Sequence, residues 1–94
     1  MDHVRITGVY ILQSLKNLRY YIGSTNQIDV RVGQHNSGLV KATRHMRPWL
    51  LKAFIECQTL TDARKAEYRL KKYKSRMVVE KTIHDGVFPW KYTQ

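Results

Sequence analysis

Short apolar runs alternate with polar, turn-like segments along the first sixty residues of this 94-residue chain. Residues 7–13 and 19–23 are rich in β-branched and aromatic side chains, which predicts two strands. The polar segment between them, residues 14–18, predicts a turn, so that the two strands would form a hairpin. A third apolar run, residues 49–57, predicts a third strand.

Residues 26–36 carry a pattern that is compatible with two structures. Apolar and polar residues alternate between positions 28 and 32, which by itself is typical of a strand. Ile28 and Val32 are also spaced to share one face of a helix, and Asn26 is a residue type that caps helices. The pattern alone slightly favours a helix.

The clearest helical periodicity follows the third predicted strand. Apolar residues recur at helical spacing at Ala63, Ala66, Leu70, Tyr73 and Met77. Thr59 is placed to cap this helix, with Asp62 three residues later. Ser75 indicates the start of a second helix that ends near residue 84, and the aromatic tail 87–92 is expected to pack back on the domain. There is no internal repeat or linker, so residues 1–94 are expected to form a single domain.

The charge of the chain changes this picture of an ordinary small domain. Seventeen Lys and Arg residues against seven Asp and Glu residues give a formal net charge of +10. This excess favours a polyanionic partner such as DNA, RNA or an anionic membrane surface, although it also serves solubility. No apolar run approaches the roughly 20 residues that span a bilayer. A single cysteine, Cys57, excludes an intrachain disulfide and fits a reducing, cytoplasmic location.

The acidic residues are few and none forms a close pair, which argues against a nuclease site with two metal ions. One metal ion held by one carboxylate, waters and a substrate phosphate stays possible. Glu67 is the strongest candidate because it stands alone in a basic stretch, beside the apolar stripe of its helix. It is equally placed to form a simple ion pair with Lys71, four residues later.

Arg31, His35 and two tyrosines complete the candidate chemistry. On a helix, Arg31 and His35 would lie on the same face, where they could hold a phosphate or merely face solvent. Tyr10 and Tyr21 lie in the two predicted hairpin strands and could share one face of the sheet or simply pack in the core. Tyr20, the neighbour of Tyr21, must point to the opposite face.

The order and spacing of these residues resemble the GIY-YIG nuclease superfamily. The matching features are Gly8-Val9-Tyr10, Tyr21-Ile22-Gly23, Arg31, His35 and Glu67, within residues 7–76. Residues 20–25, 35–38 and 47–49 are similar to the small stand-alone bacterial branch of YhbQ-like proteins. The N-terminal nuclease domain of UvrC is a more distant likeness, which implies DNA repair as a context.

The resemblance implies an α+β fold, with a three-stranded antiparallel sheet flanked by helices, and it favours a helix at residues 26–36. It also implies an endonuclease that hydrolyses phosphodiester bonds, with DNA as the expected substrate. Tyr10 would be the general base or orient the attacking water, and Tyr21 would bind the water or the scissile phosphate. Arg31 would stabilise the transition state, and His35 would assist at the phosphate or at the Tyr10 proton. Glu67 would hold one Mg²⁺ or Mn²⁺ ion.

Ser24 stands where some branches of the family carry a basic residue, so the neutralisation of the phosphate needs other cations. The expected nucleic-acid contacts are Ser24, Lys41, Arg44, His45, Arg47 and Lys71. Two alternatives to an independent enzyme stay open. The chain could bind DNA or RNA without cutting it, or it could be a catalytic subunit that a protein partner directs to its target.

Overall fold

The structure is a computed structural model that describes residues 5–92. Its strands and helices are, in chain order, β1 (Gly8–Ser14), β2 (Tyr20–Thr25), α1 (Ile28–Asn36), β3 (Trp49–Glu56), α2 (Leu60–Lys72) and α3 (Arg76–Asp85). Short 3₁₀ turns occupy Arg44–Met46 and Pro89–Tyr92. The predicted α+β fold is therefore confirmed, including the helix at the ambiguous segment.

The three strands form one antiparallel sheet in the order β2-β1-β3, with β1 in the centre. Tyr10 lies opposite Gly23 and Leu12 lies opposite Tyr21. Directly opposed residues of antiparallel strands project from the same face, so Tyr10 and Tyr21 share a face, as the hairpin predicted. Tyr20 projects from the other face.

The two faces of the sheet have different coverings. One face packs against α2 and α3 and contains the main apolar core: Val9, Ile11, Ile22, Ile55, Ala63, Leu70, Val79 and Phe88. The other face carries Tyr10 and Tyr21, and the α1 residue His35 packs against both rings. The candidate site therefore lies between the sheet and α1, on the side away from the main core.

Local hydrogen bonds explain where the helices begin and end. The Thr59 hydroxyl accepts from the backbone N–H of Asp62 at 3.0 Å, and the Ser75 hydroxyl accepts from that of Val78 at 3.2 Å. Both caps agree with the sequence prediction. Helix α1 differs, because its N-cap is Gln27, which makes no side-chain cap, and the possible cap residue Asn26 lies one position earlier.

The buried stripe predicted through Tyr73 and Met77 was wrong beyond Leu70. Tyr73 and Met77 are 43% and 79% exposed. Helix α2 ends at Lys72, and Lys74 then adopts a left-handed backbone with φ of 47°, which breaks the helical register. Helix α3 restarts in a new phase and turns Val79 into the core instead.

Phe88 and Trp90 of the C-terminal segment pack back on the domain, as expected. Phe88 is buried and stacks on Trp90 with ring centroids 4.6 Å apart, and the guanidinium carbon of Arg69 lies 4.4 Å from the Trp90 ring. Cys57 is half-buried against the core. Among the helices of residues 5–92, none has the length and apolar character needed to span a membrane.

Candidate active site

Glycines in β1 and β2 make room for the site. A Cβ atom at Gly23 would overlap the hydroxyl and ring of Tyr10, so the Tyr10 phenol lies directly over the bare backbone of Gly23. A Cβ at Gly8 would overlap the carbonyl of Ile55 and come within 2.8 Å of the Phe54 ring. The close packing of neighbouring strands and rings thus requires glycine at both positions.

A chain of hydrogen bonds runs inward from Arg31 through the Tyr10 hydroxyl. The Nε of Arg31 donates to the Tyr10 Oη at 3.3 Å, and that oxygen lies 2.9 Å from Nε2 of His35. On its other side, Nδ1 of His35 lies 2.8 Å from Oγ1 of Thr43. The Thr43 hydroxyl in turn reaches the Val40 carbonyl at 3.4 Å.

The two ends of this chain, a donor at Arg31 and a carbonyl acceptor at Val40, assign the direction of the bonds between them. Because Val40 offers only a carbonyl, Thr43 donates to it and accepts from Nδ1–H of His35. The Nε2 atom of His35 is then unprotonated and accepts the Tyr10 hydroxyl proton. Arg31 can only donate, so it occupies a lone pair of the same phenol oxygen.

Burial keeps both partners of the central bond neutral. Tyr10 is 1% exposed and His35 is fully buried. Burial, reinforced by the Arg31 charge, lowers the pKa of His35 to about 4. Burial also raises the pKa of Tyr10, and the hydrogen bond and charge of Arg31 only partly oppose this shift. At neutral pH the site therefore holds a protonated phenol and a neutral imidazole.

Tyr21 and Trp49 form the remaining aromatic walls. The Tyr21 ring lies 5.0 Å from that of His35 and 6.3 Å from those of Tyr10 and Trp49, measured between centroids. Trp49 donates from Nε1 to the Thr43 carbonyl at 2.9 Å. This bond holds the backbone of Thr43, the loop residue whose hydroxyl contacts His35.

Glu67 lies on α2 at the β2 edge of this site. Its Oε1 accepts from the Ser24 hydroxyl at 2.6 Å, and its Oε2 forms an ion pair with Nζ of Lys71 at 2.5 Å. The negative charge of Glu67 also contributes to the raised pKa of Tyr10, so the two groups belong to one electrostatic environment. The ion pair with Lys71, predicted as the simple alternative, is present.

The donor set fits one hard divalent cation rather than a metal cluster. Within residues 5–92 there is no group of three or more His, Cys, Asp or Glu residues that could hold a metal ion. Glu67 supplies one partly exposed carboxylate, oriented by the hydroxyl of Ser24. A single anchoring carboxylate with the other ligands taken from water and phosphate is a common arrangement for Mg²⁺.

The basic loop between α1 and β3 lies at the surface. Lys41, Arg44, His45 and Arg47 are all exposed. Arg47 donates from Nε to the Arg44 carbonyl at 2.7 Å, and Lys16 donates to the His45 carbonyl at 3.2 Å. These contacts leave the positive charges facing solvent, and their contact with nucleic acid stays a prediction.

Four of the five predicted catalytic residues gather around Tyr10: Arg31 and His35 bond to its hydroxyl, and the Tyr21 ring lies 6.3 Å from its ring. Glu67 joins them from the sheet edge through Lys71, whose Nζ lies 5.9 Å from the Tyr21 ring centroid. Sequence reasoning missed Thr43 as the partner of His35, and no periodicity links the two. It also missed the bond from Ser24 to Glu67, although Ser24 was singled out as a nucleic-acid contact.

The fold and this Tyr/Arg/His/Glu cluster define a small α+β nuclease-like domain. The sequence model of the GIY-YIG catalytic domain matches residues 6–81, and the chain belongs to this family. The family consists of nucleases, hydrolases that act on nucleic acid and generally use a divalent metal. Searches of curated proteins and of solved structures returned no match.

Proposed function

We propose that this chain is an endonuclease that hydrolyses phosphodiester bonds in DNA with one Mg²⁺ or Mn²⁺ ion. The observation that carries the proposal is the directed chain of hydrogen bonds from Arg31 through Tyr10 to His35. A structural tyrosine needs one partner for its hydroxyl, whereas this hydroxyl has a cation on one side and a neutral proton acceptor on the other. That arrangement suits a proton relay.

In the proposed reaction, Tyr10 passes a proton from the attacking water to His35. A phenolate formed in advance is disfavoured, because burial raises the Tyr10 pKa. As the water gives a proton to the phenol oxygen, the Tyr10 hydroxyl proton moves to Nε2 of His35. The lowered pKa of His35 makes this transfer unfavourable until the phosphate brings negative charge to Arg31, whose positive charge helps to depress that pKa.

In this proposal, Arg31 binds the scissile phosphate. It contacts Tyr10 through Nε and Gln34 through a terminal nitrogen at 2.9 Å. These two bonds hold the side chain in place. They use two of the N–H groups of the guanidinium, which has about five. The others are free to donate to phosphate oxygens, and the fixed charge would stabilise the pentavalent transition state.

Glu67 is the proposed ligand of the divalent cation, and Ser24 holds its carboxylate in position. When bound, the cation would neutralise charge on the phosphate and stabilise the leaving oxygen. The ammonium of Lys71, already at the carboxylate, is placed to add a further positive charge beside the phosphate. Tyr21, half-buried at the same edge, would bind the water or the phosphate through its hydroxyl.

A panel of substrates tests the proposal directly. Purified protein would be incubated with duplex, flapped, branched and single-stranded DNA and with matched RNA, with Mg²⁺, with Mn²⁺ or with EDTA. We expect metal-dependent cleavage of DNA, and a loss of at least about 10²-fold in Glu67→Gln. Glu56→Gln, which removes an exposed carboxylate from the end of β3, is the matched control and should retain full activity.

Cleavage that survives Glu67→Gln would refute the metal assignment. Binding without cleavage under any metal would instead favour a non-catalytic DNA- or RNA-binding module. Cleavage that appears only with a second protein would indicate a catalytic subunit that needs a partner. The narrower resemblance to the YhbQ-like branch, the DNA-repair context and the cytoplasmic location belong to the same proposal.

A further inference from the structure

A cleft of about 390 Å³ adjoins the candidate active site, between the β2 edge and helices α2 and α3. Tyr21 and Lys71 line it together with Arg19, Tyr20, Lys74 and Arg76. The volume lies within the range of small-molecule sites, about 300–1,000 Å³. The proposed chemistry uses Tyr21 and Lys71 from this set and leaves the rest of the cleft without a role.

The floor of the cleft is apolar. Ile22, Leu70 and Val79 line it; they belong to the main core and are 1–8% exposed. The Tyr20 ring lies beside them, with the guanidinium carbon of Arg76 4.8 Å from its centroid. A groove that only followed phosphates would need no such floor, whereas the flat face of a nucleobase would bury apolar surface on it.

The rim of the cleft is basic, and two of its cations lack a described counter-charge. Lys71 and Arg76 are paired with Glu67 and Glu80. Arg19 and Lys74 are exposed and line the same cleft. Within residues 5–92, the ion pairs found do not include either of them.

One hydrogen bond ties two walls of the cleft together, and an unusual backbone conformation shapes a third. Arg76 donates to the carbonyl of Leu18, in the β1–β2 turn, at 3.0 Å and so ties α3 to the hairpin. Lys74 has a φ of 47° at the junction of α2 and α3, a backbone conformation that is uncommon for lysine. Since Lys71 contacts both Glu67 and the Tyr21 ring, the cleft opens directly from the proposed catalytic site.

We infer that this cleft binds one unpaired nucleotide of the substrate strand, next to the scissile phosphate. Its base packs on the apolar floor, and its phosphate contacts Arg19 and Lys74. A base inside a duplex is stacked and paired, so it cannot enter the cleft. This inference rests on the proposed function and narrows it: the preferred substrates are strands with single-stranded character, such as flaps, frayed ends or gaps.

Binding in EDTA separates the inference from catalysis. Fluorescence anisotropy would measure the affinity of the full chain for three probes: a single-stranded 10-mer, the same 10-mer with abasic residues, and a blunt duplex of that length. We expect the single strand to bind most tightly. Removing the bases should weaken binding at least about fivefold, which is the lower end of the range for the loss of one stacked base. The affinity for the duplex should be no higher than the affinity for the abasic strand.

A pair of double variants tests the cations. Arg19→Gln/Lys74→Asn removes both charges, and asparagine tolerates the left-handed backbone at position 74. Relative to the unmodified chain, the slope of log affinity against log salt should become shallower by roughly 0.7, the value for one phosphate of a single strand. The control Arg5→Gln/Lys52→Gln removes two exposed charges outside the cleft and should leave the slope and affinity for the single strand unchanged.

Equal affinity for the abasic and normal strands would overturn the inference, as would equal loss of binding in the two double variants. Equal affinity for duplex and single strand would do the same. These results do not depend on cleavage. If the strand preferences appear as expected but no metal supports cleavage, the proposed nuclease function fails and the nucleotide-binding cleft stands. In an active protein, the cleft variant should raise KM on flapped DNA and leave kcat unchanged.

Discussion

Replacing Tyr10 with phenylalanine is the most direct perturbation of the proposed proton relay. The variant keeps the ring over Gly23 and removes only the hydroxyl, which lies 2.9 Å from Nε2 of His35 and 3.3 Å from Nε of Arg31. If that hydroxyl transfers a proton in the transition state, cleavage should slow by about 10²- to 10⁴-fold. Single-turnover cleavage of a flapped DNA in Mg²⁺ measures this loss.

The same substitution should also lower stability, because His35 is fully buried and its Nε2 would lose its only described partner. An unpaired buried acceptor costs about 1–3 kcal/mol. Urea unfolding followed by circular dichroism measures the change. The double variant Tyr10→Phe/His35→Phe removes both partners together, so its destabilisation should be smaller than the sum of the two single effects.

A relay makes a further prediction about activity. If Tyr10 and His35 act as one unit, either single variant should abolish the relay, and the double variant should be about as slow as each of them. Two residues with independent roles would give losses that multiply. Multiplicative losses, or a Tyr10→Phe variant within about tenfold of the unmodified rate, would refute the reasoning.

Two further predictions concern packing and pH. Gly23→Ala should cost about 1–3 kcal/mol and at least about 10²-fold in cleavage, because the new methyl displaces the Tyr10 phenol. Gly33→Ala, a helical position with nothing within 4 Å of the new Cβ, is the control and should be neutral or slightly stabilising in urea unfolding. Because the pKa of His35 falls to about 4 on folding, stability should be lost as pH drops from about 6.5 to about 4, by up to about 3 kcal/mol. His35→Phe should flatten this pH dependence and the exposed-residue control His45→Gln should keep it; the reverse result would contradict the assignment.

Much of the fold follows from local sequence. The β-branched and aromatic runs predicted all three strands, and the hydroxyl caps at Thr59 and Ser75 set the starts of α2 and α3. Alternation along a strand was enough to separate Tyr21 from Tyr20, because neighbouring residues of a strand project to opposite faces. These features depend on residues a few positions apart, which a sequence displays directly.

The sequence-based predictions were wrong where a local pattern conflicted with a constraint of the tertiary structure. Regular spacing extended the buried stripe to Tyr73 and Met77, but the left-handed Lys74 ends the first helix and resets the phase of the second. The sequence shows the spacing on both sides of that break. The sequence does not show how far α3 is rotated relative to α2, because the packing of α3 against the rest of the domain fixes that rotation.

The sequence by itself determined the types, order and spacing of the five candidate catalytic residues, which were identified through their resemblance to the family. Only the tertiary structure decided how they are supported. Thr43 directs the His35 tautomer from the loop that follows α1, and Ser24 orients Glu67 across 43 residues of sequence. Hydrogen bonds between separate elements have no sequence period, so the chain of hydrogen bonds through Tyr10 and the adjoining cleft emerge only when the sheet and helices are packed together.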